Sequence, residues 1–406
     1  MPDGGRYEAP LGLHFTPHGY AAVVTRDGHV VLLNRNTGAI LADFDITRRT
    51  SKSSLAALPS KSAVTIPDSG VPFYLQCRLQ RILGDSIPME ILLASLAGGT
   101  GGSGQYTDNS IANVGDLLFV VGGGPAGDAG TAVNGALVAV KITPGAPTLD
   151  LHWYMESNGA TGSSPTVDPS GRWVVITDTV SVDGGEPRAR LVVADIAACN
   201  ANAGNVPPSC PPAWTYVLNG KALNAHVSID EDGVVYAWQQ NAPEVPDEPE
   251  LLAVERNGSS NLGRVKWSSN FPASEAGFSC PRPEQLSTEW SSTALVLDNI
   301  VVGTITHLCV PTVEQELKMP LPVAVKTQHE LVGVRRSDGA VLWRNVPSPD
   351  DSINSPLMGA DGHLYVPILG MIDFAKLPSG GPYTDCATFN AQDTDFTGGV
   401  QQYRVP

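Results

Sequence analysis

An all-β protein built from one repeated four-stranded antiparallel sheet is what this sequence predicts, on three observations. Helix breakers are dense, with 42 Gly and 33 Pro among 406 residues, while 42% of the chain is apolar, too much for disorder. One phrase, an apolar strand, a tight turn and a strand ending on tryptophan, recurs as "LVAVKITPGAPTLDLHWYMES" (137–157), "LLAVERNGSSNLGRVKWSSN" (251–270) and "LVGVRRSDGAVLWRN" (331–345). A second phrase lies between copies of the first, as "SSPTVDPSGRWVVITDT" (163–179), "NAHVSIDEDGVVYAWQQ" (224–240) and "NSPLMGADGHLYVPILG" (354–370). Repeats of this length, each one supersecondary unit, mark stacked architectures.

Each element has a local reason. The second phrase gives two strands around Asp-Gly or Ser-Gly, where glycine takes positive φ without steric cost. Its second strands, "RWVVITD" and "HLYVPIL", are apolar throughout and read as buried on both faces. The first phrase adds the third and fourth strands. In "LVGVRR" Leu331, Gly333 and Arg335 share one face, and Val332, Val334 and Arg336 the other.

Laid end to end, the phrases make a four-stranded meander, a β-propeller blade, and radial repetition hides the sheet edges. Seven blades are counted in one domain spanning 1–406: 14–46, 61–97, 109–157, 163–218, 224–270, 291–345 and 354–406. The irregular 61–97 unit and the 371–397 stretch leave six or eight open. The last unit ends on "GGVQQYRVP", a third strand with no obvious fourth. The segment before Thr16 is expected to supply it, closing the ring by pairing the chain ends. Trp153, Trp267 and Trp343 occupy equivalent places on fourth strands and Trp214 follows suit. Indoles there are expected to pack neighbouring blades together, burying about 150–250 Å² each.

The formal net charge of −16 argues against nucleic acid and anionic membrane surfaces, which need a basic footprint. No run of 18 apolar residues exists, so no transmembrane helix is expected. Six cysteines without a CxxC pair suggest disulfides and an oxidising compartment, extracellular or periplasmic. Cys199 with Cys210, bracketing a turn-rich loop, is the first pair expected, and Cys280 with Cys309 the next. "MPDGGRYEAP" lacks the basic start and apolar core of a signal peptide, so the targeting segment is expected to lie outside this chain.

The units resemble the pyrroloquinoline-quinone-like propeller repeat. The matching pieces are "VGVRRSDGAVLW", "NRNTGAIL", "SSPTV", "NSPL", "DGVVYAW" and "DGHLYVP". The resemblance implies a propeller and leaves activity open, because the same repeat builds quinone-dependent dehydrogenases, an outer-membrane assembly scaffold and other secreted proteins. The eight-bladed alcohol dehydrogenases of the family carry adjacent cysteines over the quinone, a tryptophan platform and a calcium held by carboxylate and amide side chains. No two cysteines are adjacent here, and CxxCH is absent.

Other motifs point nowhere specific. "GGTGGSG" (98–104) and "GGGPAGDAG" (122–130) lack the Lys-Ser/Thr and helix of a phosphate cradle. "TGSSPT" fits a nucleophile elbow poorly, and the eight dispersed histidines form no HExxH. His226 starts a strand where sibling units carry Ser164 or Ser355, a position that can face a central channel. Trp238, with Gln239 and Gln240 beside it, could stack a sugar, a quinone or an aromatic ligand. Blade packing is the plainer role for that indole, as channel lining is for His226. The acidic loops 228–233, 243–250, 347–351 and 391–395 could hold a structural calcium. The expectation is a secreted or periplasmic scaffold presenting protein- or ligand-binding loops on a propeller face. The alternative is a dehydrogenase of alcohols or sugars using pyrroloquinoline quinone (PQQ) and calcium, and a channel-acid hydrolase or lyase comes third.

Overall fold

The computed structural model describes residues 10–25, 28–46, 110–122, 135–157, 164–181, 187–205, 208–221, 227–240, 249–281, 286–290, 293–309, 326–345, 351–353, 356–370 and 399–404. These residues are all-β, with six antiparallel sheets, one short α-helix and one 3-10 turn at Ala273–Ala276. The first sheet holds β1 (Pro10–Phe15), β2 (Tyr20–Thr25), β3 (His29–Asn34) and β4 (Ile40–Asp45) in sequence order. The second holds β5 (Ala112–Val114), β6 (Leu117–Gly122), β7 (Gly135–Thr143) and β8 (Thr148–Ser157). The third holds β9 (Thr166–Val167), β10 (Trp173–Ser181), β11 (Pro187–Asp195) and β12 (Trp214–Lys221), with helix α1 (Ile196–Ala201) before β12. The fourth holds β13 (Ser228–Ile229), β14 (Val235–Gln240), β15 (Pro249–Arg256) and β16 (Gly263–Asn270).

In the fifth sheet, β17 (Leu286–Trp290) and β18 (Leu295–Val296) share one edge of β19 (Ile300–Cys309), followed by β20 (Lys326–Arg335) and β21 (Val341–Asn345). In the sixth, β22 (Asp351–Ile353) and β23 (Leu357–Met358) share one edge of β24 (His363–Gly370), and β25 (Gly399–Arg404) takes the other. The sixth sheet therefore fills three lanes among the described residues.

The chain divides into two compact units, Met1–Ser62 with Gly101–Gln239 and Leu251–Ser268, and Ala63–Thr100 with Gln240–Glu250 and Ser269–Pro406. In the first unit successive sheets stack face to face, which is why their middle strands are apolar on both sides. In the third sheet Val174, Ile176, Val192 and Ala194 join the core shared with the second. The alternate residues Trp173, Val175, Leu191 and Val193 join the core shared with the fourth. The first and second sheets meet directly through Val24, Leu32, Phe44, Leu118 and Val138. The 61–97 unit expected between them lies outside the described residues. In the second unit, Val302 and Leu331 of the fifth sheet pack on Leu364 and Val366 of the sixth.

The turns follow from the sequence. Gly171 and Gly233 take φ of 72° and 77°, and each donates its N–H to the carbonyl three residues back, on Asp168 and Asp230. The buried Asp230 carboxylate accepts from the backbone N–H of Asp232 (3.0 Å) and Val234 (2.8 Å) and from the Tyr236 hydroxyl (2.8 Å). This acid of the 228–233 loop thus fastens its own turn.

Of the segment before Thr16 expected to close the ring, residues 10–15 pair with β2, from Pro10 opposite Thr25 to Phe15 opposite Ala21, and residues 1–9 lie outside the described residues. The hairpin is local, so it closes at less entropic cost than a pairing of distant chain ends. In the fifth and sixth sheets β17 and β22 lie ahead of 291 and 354.

Candidate functional site

The densest buried polar group among the described residues sits on the β19–β20 hairpin of the second unit. Its register pairs Ile305 with Glu330, Thr306 with His329, and His307 with Gln328. Strand alternation then puts His307 and Glu330 on one face, and Thr304, Thr306 and His329 on the other. All five are buried.

On the first face His307 Nε2 lies 3.1 Å from Glu330 Oε2. Arg344, on β21 opposite Val332, donates Nη2–H to the same oxygen at 2.8 Å and Nε–H to Oε1. Burial pushes the Glu330 carboxyl up, but the bonds from Arg344 and His307 outweigh it and hold the group below the usual carboxylate range. Arg344 is held above its ordinary value, chiefly by its bond to Glu330. In the third sheet Arg190, at the position corresponding to Glu330, grips the buried Asp178 on the second strand through Nε at 2.9 Å and Nη2 at 2.5 Å.

Residues 271–280 roof this face and are fastened to it at several points. Arg344 Nη1–H reaches Glu275 Oε2 at 2.6 Å, and its Nη2–H reaches the Pro272 carbonyl at 3.2 Å. Gln328 donates to the Ala276 carbonyl at 2.9 Å, and Phe278 stacks on His307 with centroids 5.8 Å apart. The Cys280–Cys309 disulfide closes the far end, beside Ala273, Phe278 and Leu286. Glu330 has both oxygens engaged and His307 is sealed under an aromatic ring. The arrangement orders a loop and leaves its carboxylate little room for a substrate.

On the opposite face, burial pushes the His329 imidazole down to about 4, with the nearby His307 adding to the effect. Thr306 Oγ1 lies 2.9 Å from its Nδ1, while Nε2 has no partner among the described residues. Farther along the same side, a cleft of about 280 Å³ opens between the fifth and sixth sheets. Leu331 and Leu364 form its apolar lining, with Trp343, Asn345, Tyr403 and Arg404 around them.

The residues singled out from sequence fall as follows. His226 lies outside the described residues. Trp238 sits in β14 only 1% exposed, enclosed within a strand that is apolar on both sides, so its indole has no open face for stacking a ligand. Gln239 beside it is buried too, and Gln240 ends the strand. Trp153, Trp214, Trp267 and Trp343 all stand on the last strands of their sheets. Cys199–Cys210 and Cys280–Cys309 are disulfide-bonded, with Cα atoms 5.1 and 5.5 Å apart. Among the described residues no three His, Cys, Asp or Glu side chains come together as a metal-binding group.

Sequence reasoning missed the hairpin network. Its signal was present as "TITHLC" and "TQHELVGV", two strand-like runs with polar residues at positions that other units fill with Val, Ala and Leu. Their register, which brings His307 to Glu330, was not readable across the intervening segment.

No family model matches the chain, and no curated protein is similar to it. Among solved structures it is similar to BamB from Moraxella catarrhalis at 11% identity and a TM-score of 0.36, covering 88% of this chain and 82% of that one. A putative oxidoreductase (glucose dehydrogenase) from Thermus thermophilus gives 9% and 0.36, covering 89% and 91%. A further glucose dehydrogenase gives 12% and 0.38, covering 89% and 93%. Likeness at this level assigns neither a family nor an activity.

Proposed function

We propose that the repeated sheets close into a β-propeller and that the protein is an extracellular or periplasmic binding scaffold, presenting shaped loops to a protein or small-molecule ligand. The observation that carries this reading is the fastening of residues 271–280. An insertion outside the sheets is tied down by a disulfide, a buried carboxylate–guanidinium pair and an aromatic stack. Burying ions is costly and is offset only by close, fully hydrogen-bonded geometry of the kind that fixes this loop, and loops set on a rigid scaffold are where binding commonly resides. Two disulfides support an oxidising compartment.

The test adds PQQ and calcium to the purified protein and follows cofactor absorbance and dye-linked oxidation of an alcohol and sugar panel. A scaffold gives no turnover across the panel. Saturable quinone binding with turnover replaces this reading by the dehydrogenase one.

A further inference from the structure

Beside the cleft at Trp343, no described strand occupies the fourth lane of the sixth sheet. In the first unit, two tryptophan-bearing fourth strands, β8 and β12, are bridged along their outer edges by the next sheet. Tyr154, after Trp153, donates its N–H to Pro208 O (3.0 Å) and accepts from Cys210 N–H (2.7 Å). Thr215, after Trp214, donates its N–H to Asn261 O (3.0 Å). Both bridging segments lie between the third and fourth strands of the neighbouring sheet. Arg344 holds the same place after Trp343, but the sixth sheet stops at its third lane, β25, and no described residue bridges to Arg344. One edge of β25 pairs with β24, and no described strand lies along the other.

We propose that this lane is a strand-acceptor groove, taking an extended acidic-apolar peptide of a partner protein that adds as the fourth strand of the sixth sheet. The inference rests on the binding-scaffold reading and names its surface and partner class. The backbone of an added strand would complete the ladder of β25, where alternate residues turn their N–H and C=O groups away from β24. One of its apolar side chains would enter the cleft against Leu331, Leu364 and Trp343. Arg404, exposed at the cleft and without a carboxylate partner among the described residues, selects an acidic neighbour on the peptide. The other described sheets show what fits, since each fills this lane with a strand of its own.

A fluorescein-labelled peptide copying β8, TLDLHWYMES, serves as the probe, because it fills that lane in the second sheet and carries two acids. Binding is titrated by anisotropy on the full chain, and hydrogen exchange is followed at residues 399–404. Expected are fast exchange at alternate amides of the free protein, saturable binding with protection of those amides, and at least tenfold weaker binding for Arg404→Glu. A peptide with proline at two central positions should also lose at least tenfold, since proline cannot join a ladder. Slow exchange at 399–404 in the free protein would mean the chain fills the lane itself and overturns the proposal. No saturable binding up to millimolar peptide does the same, as does a concentration-dependent dimer that the peptide disperses. None of these failures touches the scaffold reading, which the quinone assay decides separately.

Discussion

Trp153 and Trp214 in the first unit and Trp343 in the second stand at one register position, opposite Ala139, Val193 and Gly333 of the strand before. Trp153 is 0% and Trp214 1% exposed, whereas Trp343 is only half-buried. The first two are covered by the next sheet in sequence. Trp153 donates to Asn200 Oδ1 at 2.9 Å from α1 and packs among the apolar residues around Cys199 and Cys210. Trp214 lies under Gly263 at the start of β16, where an added Cβ would come within 2.9 Å of the ring. Trp343 packs only partly on the core shared with the sixth sheet and lies down on its own sheet, with its indole occupying the space a Cβ at Gly333 would need. The residue type is the same in all three places, so the difference in burial comes from the neighbour.

The contrast breaks most visibly if the tryptophans are removed. Trp153→Ala should cost about 3–5 kcal/mol, because a fully buried aromatic leaves a cavity that the stacked sheets cannot collapse into. Trp343→Ala, partly exposed already, should cost less, about 1–2 kcal/mol. Denaturant unfolding of each variant measures this, and equal losses would show that the cover over Trp153 contributes nothing. Of similar size is Glu330→Ala, which strands the Arg344 guanidinium and His307 in the interior. A loss of about 3–5 kcal/mol is expected from breaking one partner of a buried pair. The loop at 271–280 should also become susceptible to proteolysis, whereas Glu255→Ala, removing the partner of the exposed Arg264, should cost under about 1 kcal/mol.

A smaller effect, confined to the second unit, comes with pH. His329 titrates at about 4 when folded against 6.5 when free, so the unfolded chain binds its proton first. The contribution is fully present above pH 6.5 and is lost as the pH falls from there towards 4, amounting to about 3 kcal/mol at full protonation. Glu330, held below its free value, adds a loss in the same direction at lower pH. Thermal unfolding scanned from pH 7 to 4 should fall, and His329→Gln should remove the part between 6.5 and 4. An unchanged slope in that variant would assign the pH response to other groups.

What the sequence disclosed follows from the range of the interactions involved. Strands and turns were legible because a period of two and an Asp-Gly pair are decided within a few residues, as at 228–240 and 357–368. The Cys199–Cys210 bridge was legible for the same reason, its partners being 11 residues apart. The role of β1 was not, because "PLGLHF" pairs as readily with the next strand as with a distant one. Nor was the enclosure of Trp238, since "VVYAWQQ" reads alike whether or not a sheet covers both of its faces. The His307–Glu330–Arg344 network depends on the register of two strands and on a third, and no local pattern encodes that.

The finest test of the comparison is Gly333. Ala139 and Val193 show that the position tolerates a side chain when the indole opposite is held by a neighbouring sheet. Gly333 carries none, and the indole of Trp343 fills that space. Gly333→Ala should therefore lift the ring from the sheet at a cost of about 1–2 kcal/mol, the usual range for a methyl placed where none fits. The ring would move towards solvent, raising the accessibility of one tryptophan to iodide quenching. Gly263→Ala sets the opposite expectation, since the ring it meets, that of Trp214, is packed against two sheets and cannot swing out. That variant should lose stability by at least as much while leaving quenching unchanged. If Gly333→Ala instead leaves quenching unchanged and Gly263→Ala raises it, then cover by the next sheet is not what separates the two regions.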